Sequence, residues 1–244
     1  MDILFKKNLI ISILFSFFMN IVIYSNDTHY FLMGNDYYQK KDYSNALASY
    51  NAITQQNCAS LCNMGNCHFY LENYPQALAY WLRAQSFATI SEYDHIENNK
   101  KLLFEKIDKK NDQSLMQSIA SFFNKIASCS SLLFLQILFL LIFCIAIGYS
   151  SIKTKKIISQ SILYLSTLFL AILLVMHYTN STTIGGIVIE TKTMLFAGPH
   201  KDFQTIGSIT CTDYITIQEK RDDWYKVKYK DVVGWIQSES IQII

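Results

Sequence analysis

The stretch that decides the fold is SLLFLQILFLLIFCIAIGY, residues 131–149, followed by IISQSILYLSTLFLAILLVMHY, residues 157–178. Neither stretch contains a charged residue, and each reaches the roughly 17–25 apolar residues that a helix needs to cross a bilayer. The connection between them, SSIKTKK at 150–156, has three lysines and no acid. Because short lysine-rich connections stay in the cytoplasm, the sequence predicts a transmembrane hairpin with both flanking segments on the far side.

The amino terminus has an apolar run of its own. Lys6 and Lys7 precede NLIISILFSFFMNIVIYS, which ends at Ser25. A basic head followed by an apolar core is typical of a secretory signal peptide, here residues 1–25. An N-terminal membrane anchor is the alternative, because the run is long and its cleavage site is poor. Both interpretations export the chain from Asn26, in agreement with the hairpin.

Composition and charge support a membrane protein with exported parts. The chain is 51% hydrophobic and 16% charged, and its net charge is +2. The positive excess lies beside the apolar runs, and neither polar segment has the basic bias of a nucleic-acid binder. We therefore predict no nucleic-acid partner.

Residues 26–110 contain an internal repeat. YFLMGNDYYQKKDYSNALASYNAI, from Tyr30, aligns without a gap with LCNMGNCHFYLENYPQALAYWLRA, from Leu61. Glycine and alanine recur at matching positions, which indicates helices that cross closely. The pattern resembles the tetratricopeptide repeat (TPR), although its period is 31 residues instead of 34. The resemblance implies an all-α solenoid, closed by a third, polar cap helix that starts near Asp94.

In such repeats a concave groove is lined mainly by the first helix of each pair. Asparagine amides there hold the main chain of an extended peptide, and aromatic rings hold its side chains. Packing against the cap helix is the alternative role for some of these residues, while His68 is predicted to pack in the core. The resemblance implies a groove lined by Phe31, Asn35, Tyr38, Cys62, Asn63, Asn66, Phe69, Asn98 and Lys101.

Residues 111–130 connect the repeats to the hairpin. Their apolar residues share one face of a helix. The sequence leaves open whether this linker is an amphipathic helix on the membrane surface or an extension of the first transmembrane helix.

Residues 186–244, after a linker at 179–185, change to an alternating pattern typical of short strands. Ala197-Gly198-Pro199, then Asp223-Trp224-Tyr225, then Gly234-Trp235 resemble the motif order of the bacterial SH3 (SH3b) family. The resemblance implies a small all-β barrel that recognises peptides or cell-wall glycans. The segment SITCTDYITI departs from it, since it lacks the usual glycine. The predicted ligand face is Trp224, Tyr225 and Trp235, with the core as the alternative place for these rings.

The cysteines predict no metal centre. Cys58, Cys62 and Cys67 cluster in the repeats, but their spacing is not that of a paired zinc motif. A Cys58–Cys62 disulfide stays open. No known catalytic or cofactor motif stands out, so we expect a non-enzymatic protein without a cofactor.

The order of segments resembles the BatE-type proteins of the bacterial aerotolerance operon. That resemblance implies an envelope accessory protein acting beside von Willebrand-type Bat proteins and a MoxR-type ATPase. We expect an adaptor in the bacterial inner membrane, with both soluble parts outside the cytoplasm and with exported proteins or peptidoglycan as partners. A peptidoglycan-sensing receptor is the alternative, and a redox enzyme using Cys58 and Cys62 is a third hypothesis.

Overall fold

The fold is taken from a computed structural model that describes residues 26–108, 122–123, 125–127, 129–150 and 157–244. The predicted signal peptide, most of the linker at 111–130 and the lysines of the predicted cytoplasmic loop lie outside the described residues.

The helical region, residues 26–108, consists of successive antiparallel helices. Residues 26–39 form α1, and the others are α2 (Tyr43–Asn51), α3 (Cys58–Tyr70), α4 (Tyr74–Gln85) and α5 (Ile90–Lys106). The starts of α2, α3 and α5 are capped by side chains. Asn57 and Ser60 form a reciprocal capping box at α3, and Thr89 and Glu92 form another at α5.

Two glycines allow the paired helices to approach closely. A β-carbon added at Gly34 would lie 2.5 Å from Cε1 of Tyr50, and one added at Gly65 would lie 2.5 Å from Cδ1 of Trp81. Both rings are almost fully buried. The repeated glycines thus make room for one large aromatic ring in each helix pair, as the sequence pattern indicates.

Two long apolar helices follow the helical region. They are α6 (Leu132–Ser150) and α7 (Ile157–Thr182), which pack together through Leu135, Leu170 and Leu173. Among the described residues one helix, at Ser161–Thr179, is long and apolar enough to cross a membrane, while the apolar part of α6 is shorter, at Leu132–Gly148.

The second long helix continues past the predicted boundary at residue 178. The hydroxyl of Thr183 donates to the carbonyl of Thr179 at 2.6 Å, and the Thr183 amide donates to the same oxygen at 3.0 Å. These bonds keep the polar end helical, so most of the predicted linker at 179–185 belongs to α7. The first strand then begins at Ile184 instead of residue 186.

The β-domain, residues 184–243, is a seven-stranded antiparallel sheet in the order β3-β2-β6-β5-β4-β1-β7. Its strands enclose one core, formed by eight buried residues that include Val188, Leu195, Val227 and Ile236. These short strands agree with the alternating pattern of residues 186–244. They are β1 (Ile184–Val188), β2 (Lys192–Phe196), β3 (Thr205–Thr210), β4 (Tyr214–Arg221), β5 (Trp224–Tyr229), β6 (Val232–Gln237) and β7 (Ile241–Ile243).

The turn that lacks a glycine is held by side chains. Thr212 takes the left-handed backbone conformation, with φ of 65°, which is unfavourable for a β-branched residue. The carboxylate of Asp213 accepts from the Thr210 hydroxyl at 2.8 Å and from the Tyr229 hydroxyl at 2.7 Å. These hydrogen bonds stabilise the turn between β3 and β4 without a glycine.

The helical region and the β-domain touch one another. Helix α4 packs against β1 and β7. Ile187 of β1 is fully buried in the same apolar cluster as Trp81 and Ile96 of the helices, and Ile244 packs against that cluster. The two parts therefore share a core.

The glycine contacts predict a sharp difference between two substitutions. Gly65→Ala would force a β-carbon into the Trp81 ring, and we expect it to destabilise the helical region by about 1–3 kcal/mol. Gly148→Ala is the matched control, because a β-carbon there meets no atom within 4 Å. Thermal unfolding followed by circular dichroism in detergent checks this. Equal melting temperatures for Gly65→Ala and the parent would contradict the proposed packing.

Candidate functional site

The first candidate surface is a row of asparagines in the helical region. The hydroxyl of Tyr50 donates to Oδ1 of Asn35 at 2.7 Å. Nδ2 of Asn63, on the next helix pair, donates to the same oxygen at 3.2 Å. Asn35 is therefore fixed both by its own repeat and by the following one.

The same arrangement recurs one repeat later. Nε1 of Trp81 donates to Oδ1 of Asn66 at 3.1 Å, and Nδ2 of Asn99 donates to that oxygen at 3.2 Å. We call Asn35, Asn63, Asn66 and Asn99 the asparagine row. Asn99 belongs to this row through its contact with Asn66. The sequence pattern predicts its neighbour Asn98 as the groove residue instead.

The hydrogen bonds orient the amides. An amide oxygen has two lone pairs, and both lone pairs of Asn35 and of Asn66 are used by internal donors. Their NH₂ groups are thus fixed as hydrogen-bond donors, whereas Asn63 and Asn99 use their NH₂ groups internally and offer carbonyl oxygens. Each linked pair therefore presents a donor and an acceptor, which matches the hydrogen-bonding groups of a peptide unit.

Aromatic rings form a second connected group on the same helices. The Tyr38 and Tyr43 ring centroids lie 5.5 Å apart, and those of Phe69 and Tyr74 lie 5.7 Å apart, both edge to face. Tyr70 joins the two pairs, since it stacks on Tyr43 at 4.7 Å and meets Phe69 edge to face at 5.8 Å. Burial raises the pKa of Tyr38, so its phenol stays protonated.

The tyrosines at 43, 70 and 74 were missed as groove candidates. Positions 43 and 74 are equivalent in the repeat, which was a usable signal, whereas the position of Tyr70 follows from helix packing alone.

The remaining predicted groove residues are placed differently. Phe31 packs on Tyr50, with ring centroids 6.0 Å apart. Cys62 packs against the buried cluster of the helical region. Asn98 and Lys101 are exposed on α5, where Lys101 approaches Glu105 at 4.0 Å. The structure thus links Asn35 directly to Asn63 and links Asn66 to Phe69 through Trp81. Tyr38 is linked to Phe69 through Tyr70. Ligand contact by any of the nine stays a prediction.

His68 lies outside the asparagine row. Its ring stacks on Tyr80, with centroids 5.1 Å apart. Burial lowers the pKa of this imidazole, which favours its neutral form.

The second candidate surface is on the β-domain. Tyr225 and Val227 belong to the core of the β-domain, and strand alternation therefore places Trp224 on the opposite side, which we call the outer face. Trp235 lies on the same face, because its neighbour Ile236 is in the core. The three predicted ligand residues are thus split between two sides of the sheet.

The two tryptophans are held by a third ring. Phe196 contacts Trp224 edge to face, with centroids 5.4 Å apart, and pairs with Trp235 across β2 and β6. Trp224 and Trp235 are only 8% and 7% exposed. Both rings mainly pack in a small second core on the outer face, which agrees with the alternative that these rings serve packing. A ligand on this face would meet only the edges of the rings and the side chains around them.

Cationic side chains surround these rings. The guanidinium of Arg221 lies 5.2 Å from the Trp235 ring centroid. Lys226 stands opposite Trp235, and Lys228 stands opposite Val233, in the register of β5 and β6. Glu219 bonds to Arg221 at 2.9 Å and is the acid of this group. The outer face therefore carries excess positive charge beside aromatic rings, which suits anionic ligands.

The comparisons with known proteins identify part of the chain. Residues 193–242 match the family described as the Bacterial SH3 domain. No curated protein matches the chain. The solved structure of NlpC2 from Trichomonas vaginalis aligns over 25% of this chain and 23% of its own, with 21% identity and a TM-score of 0.23, which supports no functional conclusion. The described part of the chain thus contains a helical region at 26–108, two long apolar helices and a C-terminal bacterial SH3 domain.

Proposed function

We propose that this protein is a non-enzymatic, membrane-anchored adaptor of the bacterial envelope. Its bacterial SH3 domain binds peptidoglycan, and its helical region binds an extended segment of an exported or membrane protein. The observation that carries this proposal is the SH3 match at 193–242, because domains of this family commonly bind the cell wall. The positive outer face supports it, since the stem peptides of peptidoglycan carry carboxylates.

The helical region supports the second half of the proposal. The Gly34–Tyr50 and Gly65–Trp81 contacts fit tetratricopeptide repeats, in which small residues admit an aromatic ring between paired helices. Each repeat also offers an amide donor and an amide acceptor at its surface. A short groove of this kind suits a peptide in an extended conformation, because only an extended peptide leaves its main-chain N–H and C=O groups unpaired.

Two features of the structure support a transmembrane hairpin. Leu133 and Leu165, on different helices, are 66% and 72% exposed, which suits contact with lipid. The second feature is the contact between α4 and the strands β1 and β7. Two soluble parts that touch must lie on one side of the membrane, which requires an even number of crossings between them.

The order of segments resembles the BatE-type proteins, and we propose von Willebrand-type Bat proteins as partners of the helical region. A role in aerotolerance belongs to the same proposal. Co-purification from membranes under chemical crosslinking is the direct search for such a partner.

The outer face predicts which lysines matter for wall binding. We expect the full chain in detergent to sediment with purified cell-wall sacculi. Replacing two cations, Lys226→Gln with Lys228→Gln, removes about 1–2 kcal/mol of electrostatic attraction, so we expect roughly five- to thirtyfold weaker binding.

The control removes the same charge elsewhere. Lys220→Gln with Lys230→Gln changes two exposed lysines that lie over the rings of Tyr225 and Tyr229, on the side of β5 opposite Trp224, and we expect nearly parental binding. Failure of the parent chain to sediment would refute wall binding, and equal losses in both variants would refute the assignment to the outer face.

The hairpin predicts the accessibility of two engineered cysteines. Lys201→Cys lies in an exposed loop of the β-domain, and a membrane-impermeant maleimide should label it in intact spheroplasts. Lys155→Cys, in the predicted cytoplasmic loop, should be labelled only after the membrane is permeabilised. The reverse pattern would place the SH3 domain in the cytoplasm and remove the basis for wall binding.

A peptidoglycan-sensing receptor is the second candidate, and one observation favours it. Thr183 alone separates the end of α7 at Thr182 from the start of β1 at Ile184. A movement of the β-domain would therefore be passed directly to a membrane helix. Sacculi that alter crosslinking between engineered cysteines on α6 and α7 would support the receptor over the adaptor.

A further inference from the structure

Two cysteine side chains stand together at the first turn of α3. The Sγ atoms of Cys58 and Cys62 lie 4.0 Å apart, and both thiols are free. Cys58 is buried, and Cys62 is half-buried and packs against the same apolar cluster. The proposed adaptor function makes no use of this pair.

A disulfide does not suit the intact helix. Residues four apart on a helix have β-carbons about 5–6 Å apart, whereas a disulfide needs about 3.5–4.5 Å. The capping box of Asn57 and Ser60 holds this turn in helical geometry. An S–S bond would therefore require the first turn of α3 to unwind and the capping hydrogen bonds to break.

A soft metal ion suits the same separation. Metal–thiolate bonds of about 2.3 Å hold two sulfurs about 3.8 Å apart at a tetrahedral angle and about 4.6 Å apart in a linear arrangement. The observed 4.0 Å falls between these limits. Residues at i and i+4 on one helix face are also the spacing that helical metal motifs use.

The number of ligands narrows the choice of ion. In the part of the chain that the structure describes, no group of three or more His, Cys, Asp or Glu side chains is placed to hold a metal. Two thiolates therefore have to suffice, with solvent or a small thiol completing the coordination. Soft sulfur ligands at low coordination number select Cu(I) over zinc, which takes four ligands in structural sites.

The helix end stabilises the resulting charge. Cys58 is the first residue of α3, whose own first turn contains no acidic side chain. Glu92 of α5 faces both thiols and Cys129 faces Cys58, and in addition to burial their negative charges raise the thiol pKa values and oppose this stabilisation in part. A bis-thiolate complex of a monovalent ion has one net negative charge, and the positive end of the helix dipole attracts it. Burial raises the pKa of both thiols, that of Cys62 to about 12, so without metal the pair stays protonated.

We propose that Cys58 and Cys62 form a two-thiolate site for a soft monovalent cation, Cu(I), at the first turn of α3. Binding replaces two S–H bonds with two Cu–S bonds and releases two protons to solvent. No electron is transferred, so no oxidant or reductant is needed.

The first test uses the full chain in detergent, reduced and free of oxygen. Cu(I) is supplied from a coloured chelator, and its transfer to the protein is followed by absorbance. We expect one ion per chain and an apparent affinity that rises about a hundredfold per pH unit between pH 6 and 8, because two protons leave for each ion bound. Ag(I), which is not redox-active here, should displace Cu(I) from the same site.

The second test removes one ligand. Cys62→Ser should weaken Cu(I) binding at least a hundredfold, whereas Cys211→Ser, the same change in the β-domain, should leave it unchanged. Circular dichroism shows whether each variant is folded, and Cys58→Ser is an independent second removal. Parental affinity in both Cys62→Ser and Cys58→Ser, or uptake by the parent that does not vary with pH, would overturn the proposal.

Discussion

The contact between a glycine of one helix and an aromatic ring of the next is the constraint on which the helical region depends. The rings of Tyr50 and Trp81 lie where a β-carbon of Gly34 or Gly65 would stand. Burying such a ring is favourable only if its polar atom finds a partner. Asn35 and Asn66, one residue after each glycine, accept from the Tyr50 hydroxyl and the Trp81 indole. In each repeat the glycine thus makes room for the aromatic ring, and the asparagine that follows accepts the hydrogen bond of the ring's polar group.

This pairing explains why the helical region was predictable from the sequence and why its surface was predictable only in part. The repeated glycines and alanines follow from local helix crossing, so alignment at a fixed shift reveals them. The partners of Asn35 and Asn66 on later helices, Asn63 and Asn99, depend on how successive pairs stack. Stacking is a tertiary property, and it also decides the position of Tyr70, which no spacing rule indicates.

The β-domain shows a different limit. Neighbouring residues of a strand point to opposite sides, so Trp224 and Tyr225 were unsuited to a single ligand face from the start. Tyr225 lies in the core of the domain, whereas Trp224 packs with Phe196 and Trp235 on the outer face. The family motif groups adjacent residues without regard to this alternation, whereas the alternating pattern of the strand assigns them to opposite sides. The sequence predicts the end of α7 at residue 178, before a polar segment that contains threonines. The helix continues because the hydroxyl of Thr183 donates to the backbone carbonyl of Thr179.

The core that the helical region and the β-domain share limits how an adaptor would work. Ile187 is buried among the helices, and α4 covers strands at one end of the sheet order. The strands that carry the outer face, β2, β5 and β6, belong to the other part of that order. A ligand on the outer face therefore need not compete with the helices for the β-domain. Because Thr183 also joins α7 directly to β1, the β-domain is held at two places, and its partners would meet surfaces of fixed relative position. Such rigidity lowers the entropic cost of binding two partners at once, which flexible tethering of separate domains would not do.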